Sequence, residues 1–444
     1  MRSSRIFLIM LAGSLVMAWP AGNPARADTS GISWAPRIEV ASGDARRGPW
    51  RMNASEFFYV DDPSTDIDGA GRVALVWANQ ADQDIYFQRY GSDGRPGLDA
   101  AVNISGSGNV FSWLPRVIMA GDEGEQIYVL WQEIIFSGGS HGGEILFAHS
   151  NDGGRSFSES LNLSRTSAGA GKGRLTRQHW HNGSLDLARG PDGTLYAAWT
   201  EYEGPLRFSR STDGGESFSE PLKIAGGDNE RPGRGPAMAV TAGGTIYLAW
   251  TVGEDASADI HLASSVDGGR SFGERQVVAP GPGHADAPKL AVDDACLHLA
   301  YAESAAGPRR EYRIQYARAC DLNARPSFET PRTVAEEDDA ASAAFPALAL
   351  DGEGTVYLLW ERFLDRGARP RGLGYALSTD GGDSFQAPAV VPGSDEEALG
   401  FNGSQQGLLM RKLAVSVAGH VAVVNSTYAS GETSHIWLHR GKRD

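Results

Sequence analysis

The chain has 444 residues, with 40 Lys+Arg against 55 Asp+Glu and a net charge of −15, which excludes a nucleic-acid partner gripped by a basic footprint. An apolar fraction of 41% excludes a disordered chain, and two cysteines exclude a disulfide scaffold or a four-cysteine metal site. The 56 glycines follow no Gly-X-Y period, so with 11 Trp and 13 Tyr they point to many strands joined by tight turns.

The first element is an export signal. Arg2 and Arg5 precede an apolar run over 6–19, and Ala25-Arg26-Ala27 offers a small-x-small cleavage site before Asp28. The run is shorter than the ~20 residues a membrane span needs. Removing 1–27 takes away three arginines and no acid, so the net charge moves from −15 to −18. Residues 36–41 then read as a strand with nothing before it to pair with.

From residue 63 a pattern recurs: a proline, a short apolar strand, a Gly-rich turn, and a β-run ending in an aromatic. The copies span 63–77, 115–131, 183–199, 236–250, 288–301, 346–360 and, more weakly, 411–425. Their ends lie 51 to 68 residues apart, which fits four short strands (A to D) per unit, as in a propeller blade. In the sixth unit these are 346–350, 355–360, 373–377 and 387–391. The seventh has A at 412–417, B at 421–426 and C at 435–439, and lacks D. Strand 36–41 can supply it, closing the ring and removing an exposed sheet edge. The expected fold is all-β: a seven-bladed β-propeller with four-stranded blades, formed by 28–444 as one domain. A six-bladed ring is the alternative and leaves one unit unplaced.

A second motif, S-x-D-G-G-x-S-F, falls in the C–D turns. It carries Ser150, Asp152, Gly154 and Phe157; Ser211, Asp213, Gly215 and Phe218; Ser265, Asp267, Gly269 and Phe272; and Ser378, Asp380, Gly382 and Phe385. The Asp can accept backbone N–H groups in a tight turn, the Gly supplies positive φ, and the aromatic plugs the turn onto the sheet. The role expected is structural. The fifth unit lacks the motif. There Cys296 opens strand B and Cys320 closes strand C, so a disulfide across that hairpin is expected in its place, in an oxidising compartment.

These motifs resemble the Asp-box (BNR) repeats of the sialidase-like superfamily, whose pattern is S-x-D-x-G-x-x-W/F. The resemblance implies a propeller framework and spans most of 33–440. Sialidases add an arginine triad for the substrate carboxylate, an Asp acid/base and a Tyr–Glu nucleophile pair. The nearest counterpart of their first arginine motif, Arg37-Ile38-Glu39, lacks its proline. Arg116, Arg234 and Arg411 enter A strands and could form a triad, although their phases differ. Other members, polysaccharide lyases or glycosidases, carry a mouth histidine in an H-N-x-P context. His181-Asn182-Gly183-Ser184 is similar only in part, without the proline.

Repeat phase places the approach to each A strand and the end of each B strand on one face, opposite the S-x-D-G-G-x-S-F turns. This mouth is the default site. Its candidate catalytic groups are Asp61, His181, Asp286, Glu201, Tyr202 and Glu303, carboxylate pairs being the usual glycosidase apparatus. Glu133 lies at the same level. Its candidate ligand-binding groups are Trp113, Arg116, His179, His181, Asn182, Arg234, Glu361, Arg362 and Arg411. His179 and His181 share one face of an extended segment, yet a metal would need a third ligand such as His284 or Asp286, and no metal or cofactor is assigned. The reading is an exported periplasmic or extracellular monomer with no membrane span. It binds a glycan or protein ligand at the mouth without an intact sialidase catalytic set. The alternative is a carbohydrate-active enzyme at the same mouth, an exo-sialidase-like glycosidase or a polysaccharide lyase. A net charge of −18 opposes an anionic sugar unless the arginines are focused there. A neutral glycan stacked on Trp113 or Tyr202 is the easier ligand.

Overall fold

The computed structural model describes residues 31–444 except 50, 52–54, 109, 138–139, 166–169, 174–183, 202–203, 228, 254, 280, 282, 306, 308–310, 336–341, 366–367, 404–409 and 430; for 134–142 and 170–173 only the backbone is considered. The export-signal segment, His179, His181, Asn182 and Tyr202 therefore lie outside the described residues.

Seven antiparallel sheets follow one another along the chain and form a seven-bladed β-propeller. The innermost strands are Val60–Ile67, Phe111–Ala120, Leu185–Arg189, Gly233–Val240, His284–Val292, Ser342–Leu350 and Leu413–Val415. The six-bladed alternative is thereby excluded. Each B strand reads as a continuous apolar run because it is buried on both faces between neighbouring blades; Leu195–Thr200 is buried at every position. Seven apolar clusters result, one at each boundary between blades.

The last boundary is closed as the sequence suggests. The strand Ile38–Asp44 pairs antiparallel with Thr433–Arg443, with Ile38 opposite Leu438 and Glu39 opposite Trp437. A further strand, Ile32–Trp34, extends this pairing to Arg443. The seam is apolar: Val60, Leu75 and Trp77 pack with Ala422, Val424, Ile436 and Leu438.

The four S-x-D-G-G-x-S-F turns share one hydrogen-bond scheme. The Ser hydroxyl donates to the Asp and accepts from the second Gly N–H, and the Asp accepts from the N–H and hydroxyl of the second Ser, all at 2.5 to 3.0 Å. The aromatic packs across the boundary. Phe157, Phe218, Phe272 and Phe385 each meet the strand-C aromatic of the preceding blade edge-on, at 5.4 Å for Phe87 and 4.9 Å for Phe147, Phe208 and Tyr316. The turns thus fasten neighbouring blades, a wider role than plugging their own sheet.

Blade 5 is fastened differently. Cys296 and Cys320 form a disulfide that joins the start of its B strand to the end of its C strand. Its C–D turn keeps one carboxylate cap, from the Ser327 N–H to Asp321 at 2.9 Å. Blade 4 reaches over to it: Tyr247 and Ser264 donate to the Asn323 and Ala324 carbonyls at 2.8 and 2.6 Å.

Candidate functional site at the channel mouth

One backbone device recurs at the mouth. In five blades the innermost strand gains an extra residue against strand B, between Asp61 and Ser64, Trp113 and Arg116, Arg234 and Ala237, Asp286 and Lys289, and Ala344 and Ala347. The residue before each proline then has positive φ: 55° at Asp62, 56° at Leu114, 63° at Gly235, 54° at Ala287 and 53° at Phe345. Such bulges turn side chains out of the regular alternation. The strained N–H groups are capped by side chains: Leu114 N–H by Asp62 at 3.3 Å, Gly235 N–H by Ser184 at 2.6 Å and Ala287 N–H by Asp286 at 2.7 Å.

Near the innermost-strand entries, four blades contribute charged side chains. Arg411 of blade 7 crosses to blade 3, donating to Asp186 and to the Leu187 carbonyl, both at 2.7 Å. Arg116 of blade 2 lies close to the same Asp186 and to Arg411, and it donates to the Pro115 carbonyl at 3.2 Å and towards Met410 Sδ of blade 7 at 3.1 Å. Lys289 of blade 5 lies within electrostatic reach of Arg116, Asp186 and Arg411. Burial lowers both free-energy-costly cations: Arg116 to about 10 and Lys289 to about 8, with the neighbouring arginines adding to the effect at Lys289 and Asp186 opposing it. These groups form a charged floor across the channel.

Arg116 and Arg411 lie within electrostatic reach of one another, and Arg234 has its own carboxylate partner. Arg234 is held by Asp286, with Nη1 2.8 and 2.9 Å from its two oxygens, while its Nε donates to the Gly253 carbonyl at 2.8 Å. Thr251 donates to Asp286 at 3.0 Å, and buried His284 lies 3.5 Å from it. Burial would raise the Asp286 carboxyl, but Arg234 and then His284 outweigh it and hold the group well below the usual carboxylate range. The place of a third cation at the floor belongs to Lys289. Its signal was in the sequence: it follows Pro288 as Arg116 follows Pro115.

Other candidates sit elsewhere. Asp61 is buried and accepts from Ser426 at 2.6 Å. Trp113 is not a stacking platform for a sugar: it is 7% exposed, packs against Phe111, and its indole N–H is taken by Gln80 at 2.8 Å. Glu361 is fully buried behind the mouth, where Lys412 and Asn402 occupy its two oxygens. Glu201 pairs with Arg207 at 3.2 Å, Glu303 accepts from Gln315 at 3.0 Å, and Arg362 lies 3.6 Å from Asp395. In the third unit the register sets Asp186 opposite Ala198, as Ala237 faces Ala249, so Leu185 rather than Gly183 takes the proline slot. The phase assumed for His181 and Asn182 is thus two residues early. Glu133, at the end of a B strand, is raised to about 7 by burial, with the Asp84 and Glu144 carboxylates adding to it.

One described group could offer three metal-type ligands, Asp293, Cys296 and His298, but Cys296 is committed to its disulfide. Among the described residues no helix is long and apolar enough to cross a membrane.

Fold and site define a seven-bladed propeller with a charged channel floor. No protein-family model and no curated protein sequence matches the chain. Solved structures do match. A polysaccharide lyase of family PL25, an ulvan lyase, aligns with a TM-score of 0.56 at 11% identity, over 90% of this chain and 95% of that one. The polysaccharide lyase Uly1 aligns with a TM-score of 0.51 at 12% identity, over 93% and 100%. The intramolecular trans-sialidase from Ruminococcus gnavus aligns with a TM-score of 0.48 at 12% identity, over 72% and 94%. At these identities the likeness is one of fold.

Proposed function

We propose that the chain is an exported propeller that binds an acidic glycan at its mouth, without sialidase-type catalysis. The observation that carries this reading is the split of the three arginines: Arg234 is bonded to Asp286, while Arg411 is bonded to Asp186, with the charges of Arg116 and Lys289 near enough to that carboxylate to feel it. A carboxylate clamp of the sialidase kind needs three guanidinium groups on one point. The objection from net charge is eased locally, because Arg116, Arg411 and Lys289 lie within electrostatic reach of one another. The ulvan lyase of this fold is described as bound to -[GlcA(1-4)Rha3S]-, an acidic sugar repeat, which fits that ligand class. The S-x-D-G-G-x-S-F turns, read as Asp boxes, belong to the framework on the opposite face. Export is supported by the leader-like start and by the Cys296–Cys320 disulfide.

A second reading, a carbohydrate-active enzyme at the same mouth, is favoured by Glu133. A carboxyl at about 7 can both take and give a proton near neutral pH. One screen separates the two: acidic and neutral oligosaccharides, with calorimetry for binding and mass spectrometry for products. The expected result is binding without turnover, weakened about tenfold or more in Arg411→Gln, which removes a cation from the floor, with the fold checked by circular dichroism. Products that vanish in Glu133→Gln would replace binding with catalysis. A panel with no ligand, or one bound equally by Arg411→Gln, would contradict the mouth assignment.

A further inference from the structure

We propose that blade 5 carries a zinc site on the face opposite the mouth, built from Asp293, Cys296 and His298 and opened by reduction of the Cys296–Cys320 disulfide. It does not depend on any ligand at the channel.

The argument starts from the repeat. Register fixes equivalent positions: Val292 faces Leu297 in blade 5 as Arg189 faces Leu195, Val240 faces Ile246 and Leu350 faces Val356 in blades 3, 4 and 6. In those three blades the residue before the facing position is Thr194, Thr245 or Thr355, and the residue after it is Tyr196, Tyr247 or Tyr357. Blade 5 has Cys296 and His298 in these two slots. In blade 6 the ordinary set is a hydrogen-bonded turn. Asp351 caps the Glu353 and Thr355 N–H groups with one oxygen, and the Tyr357 hydroxyl donates to the other at 2.9 Å. Blade 5 keeps the capping half, with Asp293 Oδ1 accepting from the Ala295 and Cys296 N–H groups at 2.8 and 2.7 Å. Its other half exchanges Thr and Tyr for a thiol and an imidazole, both metal-ligand types.

The geometry suits one ion. Asp293 Oδ2 lies 3.3 Å from His298 Nε2. In a tetrahedral zinc site, bonds of about 2.0–2.2 Å set a nitrogen and an oxygen ligand about 3.3–3.5 Å apart. Ligand atoms of Asp293, Cys296 and His298 all lie within 4.8 Å of one another. The far ring nitrogen, His298 Nδ1, is 2.6 Å from the Tyr316 hydroxyl, and Phe385 of blade 6 holds Tyr316 edge-on at 4.9 Å. A hydroxyl accepts as well as donates, so the neutral ring can carry its proton on Nδ1 and leave Nε2 as a ligand atom, the outer support a metal-bound imidazole takes. His298 and Cys296 are buried, whereas Cys320 is exposed and open to a reductant.

The chemistry balances. A dithiol passes its two S–H hydrogens to Cys296 and Cys320, and its own sulfurs join as a disulfide. Zinc then binds Cys296 as the thiolate, whose proton goes to water, beside the Asp293 carboxylate and the neutral His298 ring. Cys320, bonded to Cys296 in the oxidised chain, is the nearest fourth ligand and releases a second proton when it binds. Two sulfurs with an imidazole favour zinc over magnesium or calcium. Zinc fastens the hairpin of the reduced chain as the disulfide fastens that of the oxidised one.

The test is calorimetric titration of the tag-free full chain with zinc chloride under argon, with the fold checked by circular dichroism. Wild type reduced by a phosphine is expected to bind about one equivalent at least about tenfold more tightly than oxidised wild type. Cys320→Ser is expected to bind zinc without any reductant, because its Cys296 is a free thiol. In that background Asp293→Asn and His298→Tyr are expected to weaken binding about tenfold or more. His298→Tyr restores the residue of blades 3, 4 and 6, so it keeps the fold while removing the ligand. No zinc bound by either reduced wild type or Cys320→Ser, equal binding by oxidised and reduced wild type, or binding unchanged in His298→Tyr overturns the proposal. The comparison of the two wild-type redox states stands even where a variant does not fold.

Discussion

Gly214 and Gly215 are adjacent, and both have positive φ, 76° and 96°, yet they do different things. A Cβ on Gly214 would meet nothing within 4 Å, whereas one on Gly215 would lie 2.7 Å from the Phe147 ring of the preceding blade. Gly214→Ala is expected to cost the backbone term alone, about 1–2 kcal/mol. Gly215→Ala adds an overpacking term of about 1–3 kcal/mol, because Phe147 is held edge-on by Phe218. Chemical denaturation of the two variants measures the difference; equal losses would mean that the turn does not bear on its neighbour. The backbone half of this was legible in the motif, since a tight turn asks for glycine. The packing half was not, because nothing in S-x-D-G-G-x-S-F names the residue it meets, some 70 positions away in sequence. Lys289 is a similar case. It stood in phase with Arg116, but a lysine after a proline looks like a solvated side chain until charged side chains of four blades are seen within electrostatic reach of one another.

At the level of the strand, repeat phase carried far because its cause is physical: a B strand buried on both faces must be apolar, and it must end where the mouth begins. It faltered where the pattern traded one kind of burial for another. The seventh unit read weakly because Asn425 stands where other blades have a large aromatic. The structure fills that space with a buried polar network. Lys412 pairs with Glu361 and donates to Asn425 at 3.2 Å, Asn425 donates to Asn402 at 3.0 Å, and Asn402 donates to Glu361 at 2.5 Å. Glu361 is wholly buried and Lys412 nearly so. Removing one partner strands the other charge away from water, so Glu361→Ala is expected to lose about 3–5 kcal/mol of stability. Urea titration of that variant, beside one of exposed Glu353 as a reference, reads the loss; a change below about 1 kcal/mol would show that the pair is not needed between blades 6 and 7. The third unit failed for a related reason. Without a proline its slot had to be guessed, and the guess set His181 and Asn182 two residues early.

At the scale of the whole molecule, seven similar units close into a ring through a strand borrowed from the chain's other end. The fold was readable from period and from the missing seventh D strand. The site was readable only as a face, because its chemistry depends on which side chains cross the channel, a distance that repeat phase does not encode. The arrangement separates two jobs. One face carries the turns that fasten blade to blade, and the other carries strained bulges and the cations of the floor. The central claim is that ligands engage this second face. Hydrogen exchange with a bound acidic oligosaccharide tests it most directly. The account predicts slowed exchange at the innermost-strand entries around Gly235, Ala287 and Lys412, with the turns around Gly154, Gly215, Gly269 and Gly382 unchanged. Protection at those turns, with the entries unaffected, would contradict it.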